Sequence, residues 1–253
     1  MEKIGDSNMK MKLTLFILAV LLLFSCSKSN DASPLSNGSG KAGSLARFAI
    51  VGDKLYTVTT QNLKIFNILD EKNPDYQGEI PVGIDIETIF PLDNTLFMGS
   101  EGGMYMYDVA DPLNPKRLSM YQHIRSCDPV VANDKHAFVT LSTMATRCSR
   151  GLNQLEIIDI ADKRNPKLLR TFVMNKPLGM ALSDNNLFVC DDVVKWYDIT
   201  NSPELTTKAT INIKARDAII DNNILMLIGE KGLSQYNISG SQPTFLSQIT
   251  IGE

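Results

Sequence analysis

Five times along this chain an apolar, β-like run ends in Asp or Asn and is followed by a short polar turn that closes on proline. The copies are Lys64-Ile65-Phe66-Asn67-Ile68 with Asn73-Pro74, Tyr105-Met106-Tyr107-Asp108-Val109 with Asn114-Pro115, and Glu156-Ile157-Ile158-Asp159-Ile160 with Asn165-Pro166. Two further copies are Lys195-Trp196-Tyr197-Asp198-Ile199 with Ser202-Pro203, and Ser234-Gln235-Tyr236-Asn237-Ile238 with Gln242-Pro243. The five prolines lie 41, 51, 37 and 40 residues apart, and residues 44–253 divided by five give 42 per unit. A strand-built period of this size specifies an array of small sheets.

Each unit reads as four short strands. An apolar first strand, such as Phe48-Ala49-Ile50-Val51 or Asp217-Ala218-Ile219-Ile220, runs into a tight turn. The turns are Gly52-Asp53-Lys54, Asp93-Asn94-Thr95, Asn133-Asp134-Lys135, Asp184-Asn185-Asn186 and Asp221-Asn222-Asn223. Asn, Asp and Gly suit them because these residues tolerate positive φ. A second apolar strand, the repeated phrase and a more polar fourth strand complete the unit. One such sheet cannot bury both faces alone, so neighbouring sheets must stack. Radial stacking gives an all-β fold, a β-propeller of five four-stranded blades of about 42 residues. A β-solenoid would have shorter rungs, and a Greek-key sandwich would not repeat one phrase five times.

Leu155-Glu156-Ile157-Ile158-Asp159-Ile160-Ala161-Asp162 with Asn165-Pro166 resembles the signature of the LVIVD-repeat family. Tyr107-Asp108-Val109-Ala110-Asp111-Pro112-Leu113-Asn114-Pro115 is a second match, and Arg216-Asp217-Ala218-Ile219 resembles the usual opening of that family's first strand. The resemblance covers about residues 44–253 and is weakest in units four and five. It implies a β-propeller in a bacterial surface or secreted protein and brings no catalytic set with it.

Residues 1–25 read as an export signal. Lys10 and Lys12 precede an apolar run from Leu13 to Phe24, too short for the ~20 residues that span a bilayer. Leu23-Phe24-Ser25-Cys26 resembles a bacterial lipobox, which implies acylation of Cys26 as the mature N-terminus. Initiation at Met9 or Met11 would give a more usual signal. Residues 26–43, rich in Ser, Asn and Gly, read as a flexible tether, and residues 44–253 as the propeller. Acyl chains on a tether attach a protein to a membrane without inserting it. By the same resemblance Ser27 favours the outer membrane, on either its periplasmic or its outer face. Removing residues 1–25, with three lysines and two acids, takes the net charge from −3 to −4. That leaves no electrostatic footprint for nucleic acid.

Cys127 and Cys148 fall in the long third unit, where about ten extra residues (Ser142 to Leu152) separate its second and third strands. In an oxidising compartment they are expected to form a disulfide, contributing roughly 3 kcal/mol for a loop of about 20 residues. Two unpaired thiols are the competing reading. Cys190, ending an apolar strand, reads as a small buried hydrophobe. His123 and His136 lie on different strands without ligand spacing, and Asp191-Asp192 reads as turn-forming. No metal site or cofactor is therefore expected.

First strands line a propeller's central channel. Aligning the units places Arg47, Thr88, Asp128, Gly179 and Arg216 at equivalent positions on one rim, with Glu87 and Asp217 beside them. That rim is either a solvated ring of compensating charges or a binding surface on which arginines hold carboxylate, phosphate or sugar oxygens. The insert, with Arg147 and Arg150, is the repeat's one elaboration and hence a candidate loop. No phosphate loop, nucleophile elbow or zinc-binding helix appears, so the chain is expected not to be an enzyme. The reading is a monomeric, membrane-tethered scaffold binding a protein or glycan partner. The alternative is an envelope hydrolase or lyase working at the channel mouth.

Overall fold

The computed structural model describes residues 43–123, 129–143 and 152–251. They form an all-β, five-bladed propeller in which every sheet is a four-stranded antiparallel meander. Blade 1 comprises β1 (Phe48–Val51), β2 (Lys54–Val58), β3 (Asn62–Asn67) and β4 (Asp75–Pro81). Blade 2 comprises β5 (Ile86–Leu92), β6 (Thr95–Ser100), β7 (Gly103–Asp108) and β8 (Lys116–Gln122). Blade 3 comprises β9 (Val130–Ala132), β10 (His136–Leu141), β11 (Gln154–Asp159) and β12 (Lys167–Val173). Blade 4 comprises β13 (Met180–Ser183), β14 (Asn186–Cys190), β15 (Val194–Asp198) and β16 (Thr206–Ile211). Blade 5 comprises β17 (Asp217–Asp221), β18 (Ile224–Gly229), β19 (Gly232–Asn237) and β20 (Thr244–Thr250).

The repeated phrase is the third strand of each blade, and its chemistry is now visible. In every copy the closing Asp or Asn accepts a hydrogen bond from the backbone N–H two residues on: Leu69, Ala110, Ala161, Thr200 and Ser239, all at 2.8–2.9 Å. The apolar residue after it (Ile68, Val109, Ile160, Ile199, Ile238) donates to a carbonyl of the first turn. An Asx turn thus stops the strand and aims the chain at the next one. Every third–fourth strand pair also carries a bulge at one equivalent place, from Ile65/Phe66 to Gln235/Tyr236. Four of the five first turns use positive φ, at Gly52, Asp93, Asp184 and Asn222, and the Asn133-Asp134-Lys135 turn of blade 3 does not.

The inner strands pack in succession, β1 on β5, β5 on β9, β9 on β13 and β13 on β17. Among the described residues four buried apolar clusters fill the seams between blades 1 and 2, 2 and 3, 3 and 4, and 4 and 5. Blades 2 to 4 consequently bury both faces: β6 is buried throughout, and β10 and β14 everywhere but at their first residue. Blades 1 and 5 behave differently. Tyr56 and Val58 are buried against blade 2 while Leu55 and Thr57 between them are not, and Leu225 and Leu227 are buried while Ile224, Met226 and Ile228 are not. Each of these two sheets is packed on one face.

Candidate functional site

Asp217 opens β17 and lies across the ladder from Ile228. Three donors converge on its carboxylate. Ser44 Oγ donates to Oδ1 at 3.3 Å, the Leu45 N–H to Oδ2 at 3.3 Å, and the Ala218 N–H to Oδ1 at 3.0 Å. Burial nevertheless dominates and pushes this carboxyl up to about 6, against the opposing pull of those donors. Space around it is tight. A Cβ at Gly43 would sit 2.1 Å from Asp217 Oδ2, and one at Gly179 would sit 2.1 Å from Oδ1 and 2.8 Å from the Arg216 carbonyl oxygen.

Three parts of the chain therefore meet at this end of the inner strands: the segment before β1, the approach to β13 and the start of β17. Ser44 is fully buried, and its Oγ accepts the Met180 N–H at 2.6 Å while donating to Asp217. The Gly179 N–H donates to the Arg216 carbonyl at 2.9 Å. Cys190, free and fully buried, packs behind the site, and burial followed by the Asp217 charge raises its thiol far above the usual range. It is the buried hydrophobe that its place in the strand implied.

Around the same rim, Arg47 donates from Nη2 to the Ile86 carbonyl at 3.2 Å, bridging blades 1 and 2. Arg216 is exposed and pairs with Glu230 of its own blade at 3.0 Å. Glu87 is half-buried and Thr88 buried on β5. Of the aligned rim positions and their neighbours, Gly179, Arg216 and Asp217 lie close together in the structure. Asp128, Arg147, Arg150, the expected Cys127–Cys148 bond and Cys26, the expected lipidation site, lie outside the described residues.

Two buried groups went unnoticed in the sequence. Asp191 lies in the β14–β15 turn, as its sequence suggests, and is also a buried anchor. Lys195 Nζ donates to it at 2.7 Å, and so do the backbone N–H groups of Asn175 and Lys176. Burial pushes Asp191 up, but these donors outweigh it and hold the carboxyl below its ordinary value, as Asp191 in turn raises Lys195. The pair fixes the loop leading into β13. Glu156, inside the repeated phrase, is buried and accepts from Tyr121 at 3.0 Å across the blade 2–3 seam and from Gln154 of its own strand at 2.7 Å. A lysine four residues after an acid and a charged residue within an apolar run were the available signals. At the opposite end of the inner strands a cavity of about 420 Å³ lies between Leu182, Ser183, Asp184, Ile220, Asn222 and Asn223. Among the described residues no group of three His, Cys, Asp or Glu could hold a metal ion, and His136 packs edge-on against Phe138. No described helix is long and apolar enough to cross a membrane.

No family model matches the chain, so the resemblance to LVIVD repeats is not supported beyond the propeller it implied, and no curated protein matches it either. Solved structures do. The periplasmic gluconolactonase PpgL of Pseudomonas aeruginosa is similar with a TM-score of 0.60 at 11% identity, over 79% of this chain and 68% of that one. A putative 6-phosphogluconolactonase from Bacteroides uniformis gives 0.62 at 11% identity over 81% and 70%. A protein from Lactobacillus plantarum gives 0.62 at 14% identity over 79% and 69%. The chain thus spans about two thirds of its neighbours' length, and the likeness is one of fold. The expectation of a non-enzyme is corrected here, because structural neighbours of the chain include a gluconolactonase. Its premise, that no catalytic motif appears, has no force on this fold. A propeller gathers its reactive groups from separate blades, and no local spacing announces them.

Proposed function

We propose that the chain is an envelope hydrolase that opens a small cyclic ester, a sugar lactone in the first instance, at the channel mouth around Asp217. The observation that carries this reading is a partly buried carboxyl, poised near neutrality, where three inner-strand approaches converge. A base with such a value is matched to proton transfer near physiological pH. As carboxylate, Asp217 takes a proton from water. The resulting hydroxide adds to the lactone carbonyl, the ring C–O bond breaks, and the proton passes from Asp217 to the departing ring oxygen. Arg216 and Arg47 supply guanidinium groups for hydroxyl or carboxylate oxygens. The fold-level similarity to a gluconolactonase and a putative 6-phosphogluconolactonase favours this substrate class.

Acid release from δ-gluconolactone by the full chain in detergent, corrected for spontaneous opening, tests the reading. Hydrolysis above the buffer rate, falling about 100-fold or more in Asp217→Asn, is expected. Equal rates for wild type, variant and buffer would overturn it. We further propose attachment to the envelope through Cys26. The Cys26→Ala protein should leave the membrane fraction, and continued sedimentation with membranes would count against the anchor.

A further inference from the structure

We propose that the segment Gly43–Ala46 is a clasp that closes the ring between blades 5 and 1 and positions Asp217, with Ser44 as the positioning residue. This extends the hydrolase reading, on which its catalytic consequence rests. The clasp touches three blades in four residues. Ser44 Oγ takes the Met180 N–H of blade 4 and donates to Asp217 of blade 5, and the Ala46 carbonyl accepts the Ile89 N–H of blade 2 at 2.9 Å. The Ala46 N–H folds back on the Gly43 carbonyl at 3.0 Å. Gly43 is required because a side chain there would overlap the Asp217 carboxylate.

Every described seam but one is filled with apolar side chains, and the exception is the seam the clasp spans. A buried hydroxyl with two partners in different blades holds a geometry that hydrophobic contact alone would leave loose. The clasp begins at the last residue of the segment read as a tether, so the orientation of Asp217 depends on the docking of the segment that leads into β1.

Hydrogen exchange and carboxyl-carbon titration of the full chain in detergent, wild type against Ser44→Ala, provide the test. Loss of its acceptor should speed exchange of the Met180 amide at least tenfold, while the Gly179 amide, bonded to Arg216, stays protected. The Asp217 midpoint should move upward, since a donor to the ionised form has gone. Unchanged Met180 protection with an unchanged midpoint would overturn the clasp. If Ser44→Ala fails to fold, Gly43→Ala gives the same readouts from the clasp's other side. Failure of the two proposals is distinguishable. Altered exchange and midpoint with no lactone hydrolysis by wild type would leave the clasp and remove the hydrolase. Hydrolysis that depends on Asp217 and keeps its pH profile in Ser44→Ala, with Met180 still protected, would do the reverse.

Discussion

The seam between blades 2 and 3 and the seam between blades 5 and 1 join the same kind of sheet by opposite means. The first is mainly apolar: Phe97, Met104 and Met106 interdigitate with Val130, Ala137, Val139 and Ile158, all fully buried, and the Glu156–Tyr121 hydrogen bond is a polar exception. The second is bounded by sheets that keep Phe48 at 53% and Ile224 and Ile228 at 37% exposure, and the hydrogen bonds of Ser44 and Leu45 to Asp217 tie it. Apolar burial supplies stability in proportion to area and little direction, whereas a bonded polar group supplies direction and costs desolvation. The propeller takes its stability from four seams and places its most perturbed carboxyl in the fifth.

That contrast is broken most forcefully by emptying an apolar seam. Phe97→Ala should lower stability by about 3–5 kcal/mol, the usual range for a fully buried aromatic. Ile228→Ala, at a position 37% exposed on blade 5, should cost about 1 kcal/mol. Denaturant melts with a common m-value measure both. Similar losses at the two sites would mean that the fifth seam is as well packed as the others.

Asp217 sharpens the comparison through pH. Its folded value of about 6 lies above the ordinary 3.8, so its contribution is fully present below the unfolded value and lost as pH rises through 6. Between pH 4 and 7 wild type should lose about 3 kcal/mol relative to Asp217→Asn. Parallel stability curves for the two proteins would show that the carboxyl is not buried in the folded state.

The apolar seams were legible in the sequence and the fifth was not, for a physical reason. Strand periodicity, turn residues and the phrase-ending Asp or Asn are local requirements, so each of five copies restates them. Even the aligned rim positions Gly179 and Arg216 followed from the repeat. The clasp occurs once, at a residue adjoining what reads as tether, and its partners Met180 and Asp217 stand far along the chain. A single serine carries no signal of a fully buried site until the ring has closed. Asp191 hid for a related reason: its turn-like sequence neighbours gave no sign that the approach to β13 would fold back upon it.

A methyl group measures the tightness of the polar corner directly. At Gly179 an added Cβ would meet the Asp217 carboxylate oxygen at 2.1 Å and two backbone atoms, the Arg216 carbonyl oxygen and Asp217 Cα, at 2.8 Å. Side-chain rotation could relieve the first overlap but not the backbone ones, so β13 and β17 must separate locally. Overpacking of this kind costs about 1–3 kcal/mol. Gly179→Ala should accordingly lose that much in a denaturant melt and expose Cys190 to a thiol reagent sooner than in wild type. Gly102→Ala is the matched control, since nothing lies within 4 Å of its added Cβ and no positive φ attends it. Equal stability of the two variants would show that the inner strands at this corner are looser than the clasp requires.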